Sequence, residues 1–166
     1  MPDQPTLAET ERAVAAKVGD LPLDFPAMQA VSSLYRAANA ARGHLTNSVL
    51  RPHDLTWTGF LVLWLLWIWD GMETRRIAES IGISKATLTG VAKTLSARGL
   101  IDRARGEEDR RLVTLTLTPA GRRLMVDLFP EFNAAEAALV AGIPSHELTQ
   151  LTESLRAVVK TAEQGG

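Results

Sequence analysis

The sequence contains no cysteine and only three histidines, His44, His53 and His146, which are scattered along the chain. Without cysteine there are no disulfides, no thiolate metal sites and no cysteine nucleophile. The histidines form no metal-ligand pattern with nearby carboxylates, so we expect neither a metal nor a cofactor. A Ser/His/Asp set, a glycine-rich phosphate loop and a motif of paired carboxylates are also missing, and we therefore expect a protein that is not an enzyme.

Long apolar segments are absent as well. The longest, Phe60 to Trp69, has ten residues and is followed by Asp70, whereas a membrane-spanning helix needs about 20. No basic segment followed by an apolar core marks the start of the chain. The 166 residues, 46% hydrophobic and 22% charged, are typical of one ordinary globular domain. We expect a cytoplasmic protein without a membrane partner.

Apolar residues recur at helical spacing through most of the chain. The spacing predicts helices from Ala27 to Val49, from Thr56 to Trp69 and after Pro144, where Ser145 would be the N-cap. Leu7 to Val18 is either a short extra helix or a mobile tail. The second predicted helix is apolar on nearly every side, which is typical of a buried helix. This segment carries all four tryptophans. They are either core residues, or one or two of them line a pocket for a flat apolar ligand.

A helix–turn–helix is predicted between Thr74 and Lys93. Ala78 supplies the small residue where the two helices cross, and Gly82 supplies the turn, where φ is often positive. Ser84 can cap the second helix by accepting hydrogen bonds from its first free N–H groups. The apolar residues at the packing positions are Ile77, Ile81, Ile83, Leu88 and Val91. The alternative interpretation is a plain helical hairpin that binds no ligand.

The outward face of the second helix presents lysines and threonines, which can contact base edges, thymine methyl groups and phosphates. Threonine is a poor choice for a merely solvated helix face, which is the alternative interpretation. From Thr74 to Arg111 there are nine basic and five acidic residues, a net charge of +4; the whole chain has −1, so the remainder has −5. Such an asymmetry is typical of a nucleic-acid face on an acidic body. The predicted face comprises Lys85, Thr87, Thr89, Gly90, Lys93 and Thr94.

A β-hairpin is predicted after the helix–turn–helix. Leu100 to Arg105 and Leu112 to Thr118 alternate in polarity around a short polar loop that contains Gly106, which favours two paired strands. Thr118 and Pro119 would begin the next helix as its N-cap and first-turn proline. The expected fold class is mainly α, with a helix–turn–helix, a small β-hairpin wing and long helices at both ends.

Here the chain resembles a known family. Asp109-Arg110-Arg111, followed by a strand and Leu117-Thr118-Pro119-Ala120-Gly121, resembles the wing signature of MarR-type winged helix–turn–helix transcriptional regulators. Ala78, Gly82 to Ser84, Thr87, Leu95 and Arg98-Gly99-Leu100 match the family's helix–turn–helix pattern. The resemblance covers about residues 27 to 164 and is specific from 74 to 121. Gly90 departs from it, because many relatives carry a basic or polar recognition residue there.

The resemblance implies a homodimer that binds a pseudo-palindromic operator in double-stranded DNA, and a small-molecule site between the dimerisation and DNA-binding parts. It also implies a wing arginine in the minor groove. We assign this role to Arg111, oriented by Asp109, with a surface ion pair as the alternative. The predicted DNA-binding residues are Ser84, Lys85, Thr87, Thr89, Lys93, Thr94, Arg105, Asp109, Arg110 and Arg111.

The expected layout is an N-terminal extension (1–25), a helical dimerisation region (26–55 and 119–166) and a winged-helix DNA-binding domain (56–118). We expect a ligand-responsive repressor whose effector is small and aromatic or phenolic, held near Tyr35, Trp57, Trp64 or Trp67. Two alternatives stay open. One is a dimerisation or interaction module whose winged helix contacts protein; the other is a DNA binder without an effector.

Overall fold

The computed structural model describes residues 6–19, 21–105 and 113–165, and the chain divides into two compact units, residues 1–41 and 42–166. The first unit holds α1 (Leu7–Val18) and most of α2 (Phe25–Leu45). A capping box begins α1, in which the Thr6 hydroxyl accepts from the Glu9 N–H and the Glu9 carboxylate accepts from the Thr6 N–H. The hydrogen bonds from Thr6 hold the pKa of Glu9 below its ordinary value. Of the two interpretations of Leu7 to Val18, the helix is therefore confirmed.

The second unit begins with the end of α2, and its first turns differ from the prediction. The expected helix from Ala27 to Val49 starts earlier and stops being α-helical at Leu45; a π-helical turn (Thr46–Leu50) and a 3₁₀ turn (Arg51–His53) follow. A mixed π and 3₁₀ ending leaves no separate signature in apolar spacing. Helix α3 (Trp57–Ile68) follows, capped by Thr56, whose hydroxyl accepts from the Gly59 N–H at 3.0 Å.

The helix–turn–helix and the hairpin lie in the middle of this unit. Helix α4 (Thr74–Ile81) and helix α5 (Lys85–Ala97) precede strands β2 (Ile101–Arg105) and β3 (Val113–Leu117), which pair antiparallel. A further strand, β1 (Met72–Glu73), pairs with β3 and gives the strand order β1-β3-β2. The predicted fold class is confirmed, and the third strand is an addition to it.

Two long helices end the chain, α6 (Pro119–Val140) and α7 (Ser145–Gln164). Thr118 caps α6 as predicted, and its hydroxyl accepts from the Gly121 N–H at 3.0 Å. The predicted cap of α7 is wrong. Pro144 occupies the N-cap position, and Ser145 is already the first helical residue, with its carbonyl accepting from the Thr149 hydroxyl.

The core of the second unit is assembled around α3. Every residue of that helix except Ile68 is buried or half-buried, in agreement with the prediction, and the helix packs with β3, α5 and α6. The largest fully buried side chains are Leu50, Leu63, Leu66, Ile77, Leu88, Leu115, Met125 and Leu128. None of the residues of α7 is buried in the described structure.

Candidate nucleic-acid interface

The turn between α4 and α5 is built on Gly82, which adopts a left-handed φ of 66°. The N–H groups of Gly82 and Ile83 donate to the carbonyls of Glu79 and Ala78 at 3.3 and 3.0 Å, which satisfies the end of α4. A side chain at this φ is strained, so glycine is the natural residue for the turn. Ala78 is buried, in accordance with the small residue expected there. The predicted helix–turn–helix is confirmed.

Ser84 organises the first turn of α5. Its Oγ accepts from the Thr87 N–H at 3.0 Å and lies 2.8 Å from the Thr87 hydroxyl. The predicted N-cap is therefore present, and it satisfies one of the N–H groups that begin the helix. A contact from Ser84 to DNA stays a prediction.

Helix α5 has a buried face and an exposed face. Leu88, Ala92 and Leu95 are buried, while Val91 is half-buried. Ala92 was not among the packing residues that the pattern indicated, because alanine is too small to stand out in apolar spacing. The side chains predicted to face outward are all exposed: Lys85, Thr87, Thr89, Lys93 and Thr94, together with Gly90.

A cleft of about 290 Å³ lies between the start of α4, helix α5 and the two wing strands. Three cationic side chains line it, Arg75, Lys85 and Arg103, together with the carboxylate of Glu73. Arg75 also donates to Glu79 at 2.8 Å, and this hydrogen bond and charge pair raise the pKa of Arg75. The cleft therefore places Arg75 and Arg103, which belong to other elements, beside the exposed face of α5.

Arg75 and Arg103 were not among the predicted DNA-binding residues. They were counted only in the net charge of residues 74–111. Their position follows from the tertiary structure. Arg103 pairs with Leu115 in the register of β2 and β3, and alternation along β2 places Arg103 and the buried Ile101 on the same face. In the sequence, the only sign that Arg103 lies on this face was weak: it is two residues from the apolar Ile101 in a predicted strand.

The hairpin is confirmed as far as the structure describes it. Strand β2 pairs with β3 from Ile101 opposite Leu117 to Arg105 opposite Val113. Asp109, Arg110 and Arg111, three of the predicted wing contacts, lie outside the described residues. Their roles stay predictions, as does that of Arg105, which ends β2.

The base of the hairpin is hydrogen-bonded to the start of α6. The Thr118 hydroxyl donates to the Gly99 carbonyl at 2.6 Å, and the Thr118 N–H donates to the Leu100 carbonyl at 3.0 Å. Gly99 has a φ of 68° and lies two residues beyond the end of α5. One residue thus caps α6 and also holds the junction between α5, which is the second or recognition helix of the helix–turn–helix, and the wing.

Three tryptophans of α3 lie in an aromatic cluster. Trp57, Trp64 and Trp67 are half-buried against the core. The ring of Trp64 stacks on Phe129 with centroids 4.7 Å apart, and its edge meets Trp67 at 5.8 Å. Phe60 and Phe132 stack at 4.3 Å in the same cluster. Packing against the core agrees with the simpler interpretation of these tryptophans, and a ligand role stays a prediction.

The remaining aromatic residues are placed differently. Trp69 follows α3 and is 66% exposed, so the interpretation of all four tryptophans as core is wrong for this one. It lies beyond the last turn of α3, next to the left-handed Asp70. Tyr35 belongs to the first unit and is 68% exposed. Its predicted part in effector binding stays a prediction.

Metal sites and membrane-spanning helices are two other features that the described residues could contain. No group of three or more histidine, aspartate or glutamate side chains in these residues is placed to hold a metal ion. In the same residues, no helix combines the length and the apolar character needed to span a bilayer.

Together, the capped recognition helix, the basic cleft and the paired wing strands define a winged helix–turn–helix DNA-binding protein. Residues 55–113 match the model of the MarR family. The HTH-type transcriptional regulator YwaE of Bacillus subtilis is 37% identical over 155 residues, which cover 92% of this chain and 91% of that protein. The chain belongs to the MarR family of transcriptional regulators.

Solved structures support the same assignment. One comes from a study of how 6-hydroxynicotinic acid regulates DNA binding by BpsR of Bordetella bronchiseptica. It is 26% identical with a TM-score of 0.69, and the match covers 77% of this chain and 91% of that one. CouR of Rhodococcus jostii RHA1, solved with p-coumaroyl-CoA, is 26% identical with a TM-score of 0.66, over 75% of this chain and 87% of that one.

Proposed function

We propose that this regulator binds a pseudo-palindromic operator as a homodimer, with α5 in the major groove and the wing in the adjacent minor groove, and that it represses transcription until an effector binds. The observation that carries the proposal is the exposed lysine and threonine face of α5, capped by Ser84 and flanked by the cationic cleft. Helix–turn–helix proteins place such a face against base edges and phosphates.

The dimer is supported by the exposure of the terminal helices. Helix α7 carries an apolar stripe at helical spacing, yet the structure buries none of its residues. Likewise, no described residue between 6 and 41 is buried. Apolar stripes of this length need a partner surface, and we propose a second copy of the chain, with residues 26–55 and 119–166 as the dimerisation region and 56–118 as the DNA-binding domain. The exposed members of the α7 stripe are Leu151, Leu155, Val158 and Val159.

Sedimentation analysis of two matched variants tests the dimer. Leu155→Asp places a charge in the stripe and should shift the protein to monomer or aggregate. Ala157→Asp places the same charge on the opposite side of α7 and should leave the dimer intact. Deletion of residues 145–166 removes the stripe altogether and should also abolish the dimer. A dimer that persists after this deletion would contradict the proposed interface.

DNA selection from a random pool by the purified protein tests the operator. A two-fold dimer should select two inverted half-sites whose centres lie about one helical turn, ~34 Å, apart. Lys85→Ala or Lys93→Ala should weaken binding to all sequences and reduce the salt dependence, whereas Lys160→Ala on α7 serves as a charge-matched control. A chain that selects no DNA and binds a protein partner with little salt dependence would instead be an interaction module.

We further propose that the effector is a small aromatic or phenolic compound held near Tyr35, Trp57, Trp64 or Trp67. The half-buried indoles of α3 support this, because they combine apolar surface with an N–H donor. 6-Hydroxynicotinic acid, which regulates DNA binding by BpsR, is a small aromatic acid, and the ligand in the CouR structure is a larger coenzyme A thioester that carries a phenolic group.

Tryptophan fluorescence measures binding of such a compound directly. Aromatic acids such as 6-hydroxynicotinic acid should quench the emission and release the operator at the same concentration, because the two sites are thermodynamically coupled. Trp57→Phe or Trp64→Phe should raise the concentration that releases DNA. If neither variant changes it, these tryptophans serve only the core.

A further inference from the structure

The recognition helix lacks most of the side chains that proteins use to read guanine and adenine. Arginine or lysine pairs with guanine, and asparagine or glutamine with adenine. The segment Lys85–Ala97 contains no arginine, asparagine or glutamine. Its cations are Lys85, which lines the cleft beside Arg75 and Arg103, and Lys93 near the middle of the helix. The exposed groups left to read bases in the first turns are small: Ala86, Thr87, Thr89 and Gly90.

The threonine hydroxyls on this face already use their hydrogens within the helix. Thr89 Oγ1 donates to the Lys85 carbonyl at 2.8 Å, and Thr94 Oγ1 donates to the Gly90 carbonyl at 3.2 Å. A hydroxyl has one hydrogen, so each of these groups presents to a base only lone pairs and the γ-methyl group. Neither can donate to guanine O6 or N7, or to thymine O4.

Thr87 is held in a similar way. Its hydroxyl shares a hydrogen bond of 2.8 Å with Ser84 Oγ, which also accepts from the Thr87 N–H. The pair fixes the Thr87 side chain at the N-terminal end of the helix. At Gly90, a Cβ would meet nothing within 4 Å, so the surface is open beside these threonines.

We propose that α5 reads thymine methyl groups, through apolar contacts from the γ-methyls of Thr87 and Thr89 and the Cβ of Ala86. The proposal rests on the proposed DNA binding and adds its base preference. Thymine alone among the four bases carries a methyl group in the major groove, and its partner adenine offers an amino donor beside it. The lone pairs of the Thr89 hydroxyl match that donor. The half-sites should therefore be rich in A·T pairs at the positions that the start of α5 covers.

The test uses the operator obtained by selection, with each half-site thymine replaced in turn by uracil. Uracil keeps every hydrogen-bonding group and every phosphate and lacks only the methyl. At contacted positions, wild-type protein should bind about fourfold more weakly for each methyl removed, which corresponds to about 0.8 kcal/mol for a buried methylene-sized group. The salt dependence should not change, because no phosphate contact is lost. Uracil placed outside the half-sites is the control.

Two substitutions at Thr89 separate the methyl from the hydroxyl. Thr89→Ser keeps the hydroxyl and removes the methyl, so it should bind the thymine operator about fourfold more weakly and should no longer respond to uracil at the position that Thr89 contacts. Thr89→Val keeps the methyl and removes the hydroxyl, so it should still respond to uracil. Thermal melting of both variants confirms that the fold is retained.

The outcomes distinguish the two proposals. Sequence-selective binding that uracil leaves unchanged at every half-site position would overturn thymine readout and leave the proposed function standing. Thymine readout would also be overturned, and the proposed function left standing, if Thr89→Ser and Thr87→Ser both respond to uracil as strongly as wild type. Failure to select any DNA sequence would overturn the proposed function, and thymine readout with it.

Discussion

The guanidinium of Arg98, at the C-terminal end of α5, donates to the main-chain carbonyl of Asp54 across 2.6 Å, and its second arm donates to that of His53 at 2.9 Å. Asp54 adopts a left-handed φ of 53°, where the chain turns toward α3. A single side chain thus ties the end of the recognition helix to the turn that precedes the tryptophan-rich helix.

Arg98→Ala should lower the free energy of unfolding by about 1–2 kcal/mol, because two carbonyls lose a charged donor. Arg123→Ala removes an exposed arginine from α6 with the same change in charge, and it should leave stability nearly unchanged. Urea denaturation of the three proteins measures the difference. Equal stability of Arg98→Ala and Arg123→Ala would mean that water replaces the guanidinium without cost.

Gly121→Ala should be strongly destabilising. A Cβ at Gly121 would overlap the carbonyl oxygen of Leu100, which already accepts from the Thr118 N–H. The backbone would have to shift at the junction of wing and α6, and overpacking of this kind costs typically about 1–3 kcal/mol. Gly142→Ala, where a Cβ meets nothing within 4 Å, is the matched control. Thermal melts that are alike for the two variants would refute the close approach.

Gly90→Ala should separate stability from DNA binding. Gly90 lies inside α5 with open space around it, so alanine should stabilise the protein by up to about 1 kcal/mol. The added methyl protrudes from the face proposed to meet DNA, and we expect operator affinity to change while the melting temperature rises. A melting temperature that falls would show that the position carries a constraint that the structure does not reveal.

Asp109→Ala distinguishes geometry from charge in the wing, in residues outside the described part of the chain. Removing an acid from a DNA-facing loop makes the loop more positive, so a purely electrostatic wing would bind more tightly. If Asp109 orients Arg111, its loss frees that side chain, and fixing a long arginine again costs up to about 2 kcal/mol. This cost should outweigh the gain from removing one exposed, salt-screened charge.

We therefore expect weaker operator binding by Asp109→Ala, with the largest effect where A·T-rich flanks narrow the minor groove. Titrations at two salt concentrations, with Arg111→Ala alongside, decide between the models. Equal or tighter binding by Asp109→Ala at both concentrations would assign the wing a purely electrostatic role.

The sequence alone determined the local architecture of the helix–turn–helix. Gly82, Ser84 and Thr118 act through their own backbone conformation or through hydrogen bonds to N–H groups three residues away, so a short stretch of chain contains all the necessary information. The alternation that predicted β2 and β3 is equally local. The family resemblance then indicated the purpose of these elements, which local physics does not specify.

Only the tertiary structure decided the features that depend on distant partners. Strand β1 has two residues, too few for a pattern, and exists because β3 lies beside it. Arg75 and Arg103 join Lys85 at one cleft because strand register and helix packing bring them together. Arg98 finds its carbonyl acceptors more than forty residues away in the chain. Such contacts are set by the packing of the whole unit, and residue spacing along the chain does not encode them individually.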